Sequence, residues 1–204
     1  MTVRFHTGDL PNLDKYTGDV AIDTEAMGLN PHRDRLCVVQ LSPGDGSADV
    51  VQIKAGQREA PNIQALLADD SKTKIFHFAR FDVALLEHSF GTVTKPVFCT
   101  KIASRLTRTY TDRHGLKDLT RELLDVDISK QQQSSDWGAE KLSDAQLAYA
   151  ASDVLYLHAM RDILVKRLAR EGRTEIANAC FEFLPTRTKL DLIGWPETDI
   201  FAHS

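Results

Sequence analysis

The chain has 204 residues, of which 42% are hydrophobic and 26% are charged, and its formal net charge is −4. This length and composition favour one sizeable domain with a packed core and exclude a disordered or fibrous chain. No apolar run approaches the roughly 20 residues that span a bilayer, so we expect no membrane protein. The negative charge argues weakly against nucleic acid as a partner, because non-specific binding depends on the neutralisation of phosphates.

The start of the chain and its cysteines predict the cellular compartment. Residues 1–18 lack the basic and long apolar regions of a secretory signal. Cys37, Cys99 and Cys180 are odd in number and form no C-x-x-C pair, which argues against a disulfide framework or a zinc site. We therefore expect a cytoplasmic protein with reduced cysteines in its core.

Short apolar runs rich in β-branched residues predict five strands, of which the first three form an antiparallel meander. They are expected at Asp19–Asp23, Leu36–Leu41, Asp49–Ile53, Lys74–Phe78 and Val97–Cys99. Apolar residues three or four positions apart predict helices. These are expected at Asn62–Ala68, Arg80–His88, Lys101–Thr107, Leu116–Leu124 and, as one long helix, from Asp144 to about Arg170. A capping box at Ser143–Gln146 begins the long helix, and Gly172 ends it. The order predicts an α/β domain with helices against one mixed sheet.

Three segments fit no regular pattern or have two interpretations. The polar residues 125–137 predict an irregular loop that is either mobile or faces a substrate. From Pro185 to Ser204, apolar residues occur without an obvious helix and must be buried on the chain itself or on a neighbouring subunit. From Lys101 to Arg121 the local charge is +4, which fits either a solvated helix face or a nucleic-acid contact.

Two carboxylates stand where the first predicted strand ends. The period of two places Asp23 and Glu25 on the same side of the sheet. Two like charges there need neutralisation, and a divalent cation held by oxygen ligands is the natural candidate. An ordinary acidic turn after a strand is the alternative.

Two later positions extend this acidic set. Asp82 follows an apolar strand and lies in the first turn of the next helix, where it either serves a site or complements the helix dipole. Tyr149 and Asp153 are four residues apart on the long helix and therefore share one face. A tyrosine at this spacing also fits ordinary core packing.

Together, Asp23-x-Glu25, Asp82 and Tyr149-x-x-x-Asp153 resemble the three exonuclease motifs of the DEDDy class, whose best-known branch is RNase D. The resemblance covers roughly Val20 to Leu168. Supporting segments are Asp23–Pro31, similar to DTExxGLxP, and Ser135–Trp137, similar to the SDW before the third motif. The chain departs from the broader family at Ala26 and Met27, where threonines are frequent, and at Phe78, where asparagine is common.

The chain is most similar to the short, single-domain nanoRNase C group, including the segments Thr109–Leu116 and Ile128–Trp137 and the closing Phe201–Ser204. The resemblance implies an RNase H-like (DnaQ-like exonuclease) fold with a five-stranded mixed sheet flanked by helices. It also implies 3'-5' exoribonucleolytic activity on very short RNA, dinucleotides especially, and a ring-shaped homo-octamer. RNase D continues into helical modules where this chain ends. We therefore expect one domain over residues 1–204, with a catalytic core at about 18–170 and a helix and arm at 171–204 that contact other subunits.

Phosphodiester hydrolysis needs an activated water and a stabilised leaving oxygen, and two divalent ions, Mg²⁺ or Mn²⁺, about 4 Å apart serve both. Four carboxylates balance the charge of two such ions. We expect Asp23 to bridge the ions, Glu25 and Asp153 to complete one, and Asp82 to help hold the other through water. Tyr149 is too weak a base at its ordinary pKa to take a proton, so we expect it to orient the water.

Five further residues are candidate substrate contacts. Leu29 either wedges between two bases or packs in its loop, and His77 either touches sugar or phosphate or belongs to the core. Lys101, Gln133 and Ser135 are candidates for a phosphate farther along the substrate. Three alternatives remain: RNase D-like trimming of structured RNA 3' ends, a DNA 3'-5' exonuclease and an inactive RNA-binding scaffold. The DNA alternative remains because only a 2'-hydroxyl contact separates RNA from DNA.

Overall fold

The computed structural model describes residues 2–203, so Met1 and Ser204 lie outside the described residues. A mixed sheet of six strands is flanked by seven helices within that range. The strands are β1 (Thr2–Thr7), β2 (Val20–Ala26), β3 (Leu36–Ser42), β4 (Ser47–Gln52), β5 (Lys74–Phe76) and β6 (Val97–Cys99). The helices are α1 (Pro61–Ala68), α2 (Ala79–Phe90), α3 (Thr100–Thr107), α4 (Leu116–Leu124), α5 (Asp144–Leu155), α6 (Leu157–Arg170) and α7 (Thr174–Leu192).

The sheet has the order β1-β4-β3-β2-β5-β6. Strands β2, β3 and β4 pair antiparallel, which confirms the predicted meander, while β5 runs parallel to β2 and β6 parallel to β5. All seven residues of β3 are buried, as is the first half of β2. The core therefore surrounds the middle of the sheet, and β2 carries its acidic residues out from that core.

The sheet has six strands rather than the expected five. The additional strand, β1, pairs parallel with β4 at the edge of the sheet and is only partly buried. Its sequence alternates polar and apolar residues, which is also typical of a surface segment. Side chains attach it to β4: Arg4 donates a hydrogen bond to Ser47 Oγ at 3.0 Å, and His6 Nε2 lies 2.8 Å from Asp49 Oδ1.

The predicted long helix is two helices, because the helix is interrupted at Tyr156. Helix α5 packs on β2, β3 and β4, whereas α6 packs mainly on α3 and α4. A change of direction between these partners requires the break, although neither glycine nor proline marks it. The capping box at the start of α5 is confirmed, since Ser143 and Gln146 cap each other reciprocally. Gly172, at φ +65°, follows the end of α6 as predicted.

The expectation of irregular chain from Pro185 onward is wrong as far as Leu192, where α7 ends. Helix α7 continues through the proline and packs on α2, α3 and β6. Arg80 of α2 donates two hydrogen bonds to Asp191, at 2.7 and 2.8 Å, and so stabilises the last turn. Beyond α7 the tail is irregular and exposes large apolar side chains: Ile193, Trp195, Ile200 and Phe201.

Two further features concern the helices and the cysteines. No helix formed by residues 2–203 has both the length and the apolar character needed to cross a bilayer. All three cysteines are free, as predicted, but only Cys37 and Cys99 are buried, whereas Cys180 on α7 is partly exposed.

Candidate active site

All ten candidate residues line one open cleft beside the partly buried second half of β2. Its volume of about 670 Å³ lies within the range of small-molecule sites. The structure thus brings together residues that are up to 130 positions apart in the sequence. The ten residues are Asp23, Glu25, Leu29, His77, Asp82, Lys101, Gln133, Ser135, Tyr149 and Asp153.

Three carboxylates form a compact cluster on the floor of the cleft. Asp23 and Glu25 lie on β2, and Asp153 reaches them from α5, which packs on that strand. Each residue offers one carboxylate oxygen, and these oxygens lie within 4.8 Å of one another. Both acids of β2 lie inside the strand rather than at its end, because pairing with β3 continues to Ala26.

Asp82 joins this cluster from the first turn of α2. It is 3% exposed, and Thr24 Oγ1 donates a hydrogen bond to its Oδ1 at 2.6 Å. Thr24 therefore orients Asp82, a role that the sequence analysis missed because strand alternation gives no signal for it. The expected strand Lys74–Phe78 ends at Phe76 instead, since Phe78 turns the chain into α2 with a left-handed backbone, at φ 68°.

Burial raises the pKa of all four acids of the cleft, and neighbouring carboxylates raise it further for three of them. Burial raises the pKa of Asp23 to about 7, and burial followed by the charges of Asp23, Asp153 and Asp82 raises that of Glu25 to about 10. Burial and then Asp23 raise the pKa of Asp82 and of Asp153 well above the ordinary value. Within residues 2–203 no side-chain cation contributes to these shifts. Such a set of hard oxygen donors without a counter-charge fits divalent ions such as Mg²⁺ or Mn²⁺.

Tyr149 lies one turn before Asp153 on α5 and faces the same cleft. Burial, followed by the charges of Asp153 and Glu25, raises its pKa above the ordinary value, so the hydroxyl keeps its proton. Its ring packs on Trp137, with centroids 5.9 Å apart at 40°. Trp137 is 3% exposed, so its packing restricts the position of the Tyr149 ring.

Leu29 is presented by a tight loop after β2. Its side chain is 84% exposed and lines the cleft, where it is free to contact a ligand. The loop is closed by Asp34, whose carboxylate accepts a hydrogen bond from the Asn30 backbone N–H at 3.0 Å. A Cβ at Gly28 would lie 2.2 Å from that carboxylate, so any larger residue there would displace Asp34 from its hydrogen bond.

His77 is neutral at the edge of the cleft. Burial, followed by the charge of Lys101, lowers its pKa to about 3. Nδ1 lies 2.9 Å from Thr100 Oγ1, whereas Nε2 is buried without a hydrogen-bond partner among residues 2–203. A neutral ring with one unused nitrogen can still bind a polar group of a ligand.

The basic run divides between the cleft and ion pairs within the fold. Lys101 and Lys117 line the cleft. Arg108 and Arg121 do not, because they pair with Glu122 and Asp127, respectively. Lys130, from the irregular loop, adds a further cation to the cleft wall and was not among the predicted site residues.

The polar loop expected at residues 125–137 is irregular and forms one wall of the cleft. Gln133 is exposed on this wall. Ser135 is held by α5, because Gln146 Nε2 donates hydrogen bonds to Ser135 Oγ at 3.1 Å and to the Asp136 carbonyl at 3.0 Å. The loop therefore faces the site through side chains that a helix positions.

Comparison with known proteins places this chain among relatives of known family. Residues 8–169 match the family DNA_pol_A_exo1, described as a 3'-5' exonuclease. Ribonuclease D of Acidiphilium cryptum is 37% identical over 156 residues, which are 76% of this chain and 39% of that protein. Ribonuclease D of Gluconacetobacter diazotrophicus is 36% identical, with the same coverage. The chain thus spans about two fifths of the length of the curated relatives it matches.

Solved structures match over the whole chain. Brucella melitensis NrnC bound to pGG is 71% identical with a TM-score of 0.98, and NrnC with bound Mg²⁺ is 70% identical with a TM-score of 0.97; both matches cover 100% of each chain. Escherichia coli RNase D, at 22% identity and a TM-score of 0.79 over 93% of this chain and 51% of its own, shares the fold. The fold is thus the predicted RNase H-like exonuclease fold, and the chain belongs to the 3'-5' exonuclease family, among the short RNase D-type exonucleases that NrnC represents.

Proposed function

We propose that this chain is a metal-dependent 3'-5' exoribonuclease that degrades very short oligoribonucleotides, dinucleotides especially, to nucleoside 5'-monophosphates by two-metal-ion hydrolysis. The observation that carries the proposal is the cluster of Asp23, Glu25 and Asp153, whose carboxylate oxygens lie within 4.8 Å without a counter-charge. Bare carboxylates repel a phosphodiester, whereas the same groups loaded with divalent cations attract it.

The carboxylates have distinct roles in this proposal. Asp23, Glu25 and Asp153 would hold the divalent ions directly, and Asp82, oriented by Thr24, would help to hold them through water. Bound divalent ions would lower the pKa of the attacking water and stabilise the leaving oxygen. Tyr149 keeps its proton, because its pKa is raised, so its hydroxyl donates a hydrogen bond that orients the water.

The substrate size is supported by the most similar structures and by the form of the cleft. NrnC, 71% identical over its full length, has a structure bound to pGG, a short nucleotide. In the present chain, Leu29 stands exposed at one side of the cleft, where it would wedge between two terminal bases. His77, Lys101, Gln133 and Ser135 would contact sugar and phosphate groups along the opposite walls.

Trimming of structured RNA 3' ends is the competing function. The curated relatives are ribonucleases D, and the chain matches only about two fifths of their length. Trimming requires that rates rise with RNA length, whereas the proposed function requires that dinucleotides are cleaved at least as well as longer RNA. A DNA substrate is a further outcome of the same test.

The deciding experiment is a length series of 5'-labelled RNA from two to about ten nucleotides, incubated with the protein and Mg²⁺ or Mn²⁺. We expect dinucleotides to be converted to nucleoside 5'-monophosphates at rates equal to or above those of the longer substrates. Matched DNA oligomers serve as the sugar control. Untouched dinucleotides with rates rising beyond four or five nucleotides would replace this proposal with the trimming function.

We further infer that the protein is a homo-oligomer, with a ring of eight subunits as the specific expectation. Residues 18–170 would form the catalytic core, and the C-terminal helix and arm would contact other subunits. Exposed apolar side chains on α7 and the tail support this: Ile176, Phe183, Ile193, Trp195, Ile200 and Phe201. Light scattering on the intact chain and on a Phe201→Ser, Ile193→Ser variant tests the assembly, since a smaller particle is expected only for the variant. The cytoplasmic location expected from the sequence is part of the same proposal.

A further inference from the structure

Phe78 has a backbone conformation that is unusual for its side chain. Its φ of 68° and ψ of 45° are left-handed, and it directly precedes α2. Bulky residues rarely adopt this region because Cβ crowds the backbone, whereas glycine or asparagine occupies it at lower cost. Within residues 2–203 only one other non-glycine residue, Asp125, has a positive φ. Strained residues of this kind concentrate at functional sites, so the side chain of Phe78 requires an explanation.

The ring of Phe78 serves the cleft rather than the core. It is 46% exposed and lines the same cleft as the carboxylates. The ammonium of Lys101, at the start of α3, lies over the ring, 4.2 Å from its centroid. At this distance the negative face of an aromatic ring attracts a cation. The ring therefore fixes the end of a long, flexible side chain that belongs to a different helix.

Lys101 is available to bind an anion. Its ammonium forms no ion pair with any carboxylate in the part of the chain that the structure describes. Lys101 lines the cleft from the start of α3, whereas the four carboxylates enter it from β2, α2 and α5. A phosphate bound by Lys101 is therefore assigned a different position from the phosphate that the carboxylates would approach.

A 5'-phosphorylated dinucleotide carries only two phosphates, the one that is cleaved and the one at its 5' end. We propose that Phe78 is a positioning residue whose ring face holds the Lys101 ammonium in place for the 5'-terminal phosphate of the substrate. This inference rests on the proposed function. It also explains the strain, since asparagine or glycine would turn the chain more easily but would leave the lysine side chain without support.

The kinetic test compares a dinucleotide carrying a 5'-phosphate with the same dinucleotide ending in a 5'-hydroxyl. For Phe78→Leu, which keeps apolar bulk but removes the ring, we expect KM for the phosphorylated substrate to rise about two- to fivefold, the size of one partly exposed cation–π contact. KM for the hydroxyl substrate and kcat for both are expected to stay unchanged. Phe78→Tyr, which restores a ring, is expected to restore KM.

A second variant separates positioning from a structural role. Phe78→Asn keeps a residue that tolerates the left-handed backbone, so we expect an unfolding temperature equal to or above that of the unmodified chain, together with the higher KM. A residue needed only for folding would instead lower the unfolding temperature. The matched control is Phe5→Leu on β1, which removes a similarly exposed ring, 44% exposed, outside the cleft and should change neither KM.

Equilibrium binding distinguishes failure of this inference from failure of the proposed function. Calorimetry on the unmodified chain and on Phe78→Leu, with Ca²⁺ in place of Mg²⁺ to prevent turnover, measures the affinity for both dinucleotides. If Phe78→Leu weakens binding of the phosphorylated dinucleotide, the inference is supported. This holds even where hydrolysis is absent and the proposed activity fails. Unchanged discrimination between the two dinucleotides in Phe78→Leu overturns the inference while the activity stands, and equal weakening for both overturns it as well. No binding of either dinucleotide overturns both.

Discussion

The protein buries carboxylates in two regions and neutralises them in different ways. Asp49 on β4 is 1% exposed and is surrounded by donors. Tyr16 donates a hydrogen bond to it at 2.6 Å, His6 Nε2 lies 2.8 Å from it, and Lys15 forms an ion pair with it. Burial alone would raise its pKa, but the hydrogen bonds from Lys15, Tyr16 and His6 hold it below the ordinary value.

The acids of the cleft are similarly withdrawn from water, yet the pKa of each is raised. A buried charge is tolerated only when it is paired or when it coordinates a metal. Asp49 is paired by the protein's own side chains and therefore contributes to the fold. In residues 2–203 no cationic side chain pairs with the acids of the cleft, so a bound cation would supply the compensation, and these acids cost stability when no cation is bound. Changes in the two regions should consequently have opposite effects on activity and on stability.

The largest effect is expected for Asp153→Asn. Removing a metal ligand should lower kcat by about a thousandfold, since a bound ion supplies several kcal/mol of transition-state stabilisation. The unfolding temperature of the metal-free protein should stay the same or rise, because one of several repelling groups is gone. Dinucleotide hydrolysis and thermal melts in EDTA measure the two quantities. The control is Asp162→Asn, which changes an exposed acid on α6. Near-normal turnover of Asp153→Asn at saturating metal would contradict the assignment of Asp153 as a ligand.

Asp49→Asn should show the reverse pattern. The change leaves the buried partners of Asp49 uncompensated, so we expect a loss of about 3 kcal/mol of stability, or roughly 10 °C in unfolding temperature. The kcat for dinucleotides, measured well below that temperature, should be unchanged. A fall in kcat without a fall in unfolding temperature would show that the comparison between the two regions is mistaken.

The pH dependence of the metal-free protein follows from the raised pKa of the cleft acids. A group whose pKa is raised by folding stabilises the fold below its unfolded pKa, and this contribution is lost as the pH rises through the folded value. For Asp23 and Glu25 these folded values are about 7 and about 10. Between pH 5 and pH 9 the protein in EDTA should therefore lose stability. Mg²⁺ should raise the unfolding temperature by roughly 5 °C more at pH 9 than at pH 5. A Mg²⁺ effect that is independent of pH would contradict the unpaired state of the cluster.

The smallest effect is expected for Tyr149→Phe. The change removes one hydroxyl and keeps the ring packed on Trp137, so kcat should fall by about tenfold, the size of one hydrogen bond that orients the reacting water. The rise in unfolding temperature with Mg²⁺ should persist, because no ligand is lost. Single-turnover kinetics together with melts in Mg²⁺ test both halves, and loss of the Mg²⁺ effect would make Tyr149 part of the metal site instead.

The acidic cluster was predictable from the sequence, whereas the Asp49 region was not. Three short motifs encode the cluster, because β2, α2 and α5 each bring their acids to it through regular spacing. Asp49 depends on His6, Lys15 and Tyr16, which precede it by more than 30 positions and follow no motif. Only the addition of β1 to the edge of the sheet brings His6 to it.

The elements that were misjudged share one cause, which is that tertiary packing overrides a local signal. Nothing in the residues around Tyr156 indicates the break between α5 and α6, since it follows from the different partners of the two helices. Proline in the interior of a helix normally ends or kinks it. Helix α7 nevertheless continues past Pro185, because the last turn of α7 is bound to Arg80 of α2. The basic run shows a related limit, because local charge does not reveal that Glu122 and Asp127 pair with two of its arginines.

Gln146 caps α5 and at the same time holds the cleft loop through Ser135 and Asp136. The loop and the first turn of the helix that carries Tyr149 therefore open and close as one cooperative unit. Amide hydrogen exchange should report a shared opening free energy for residues 135–137 and 146–148. A change at Gln146 would therefore loosen the loop as well as the helix. The local stability of the site is thus set at a position that contributes no chemistry.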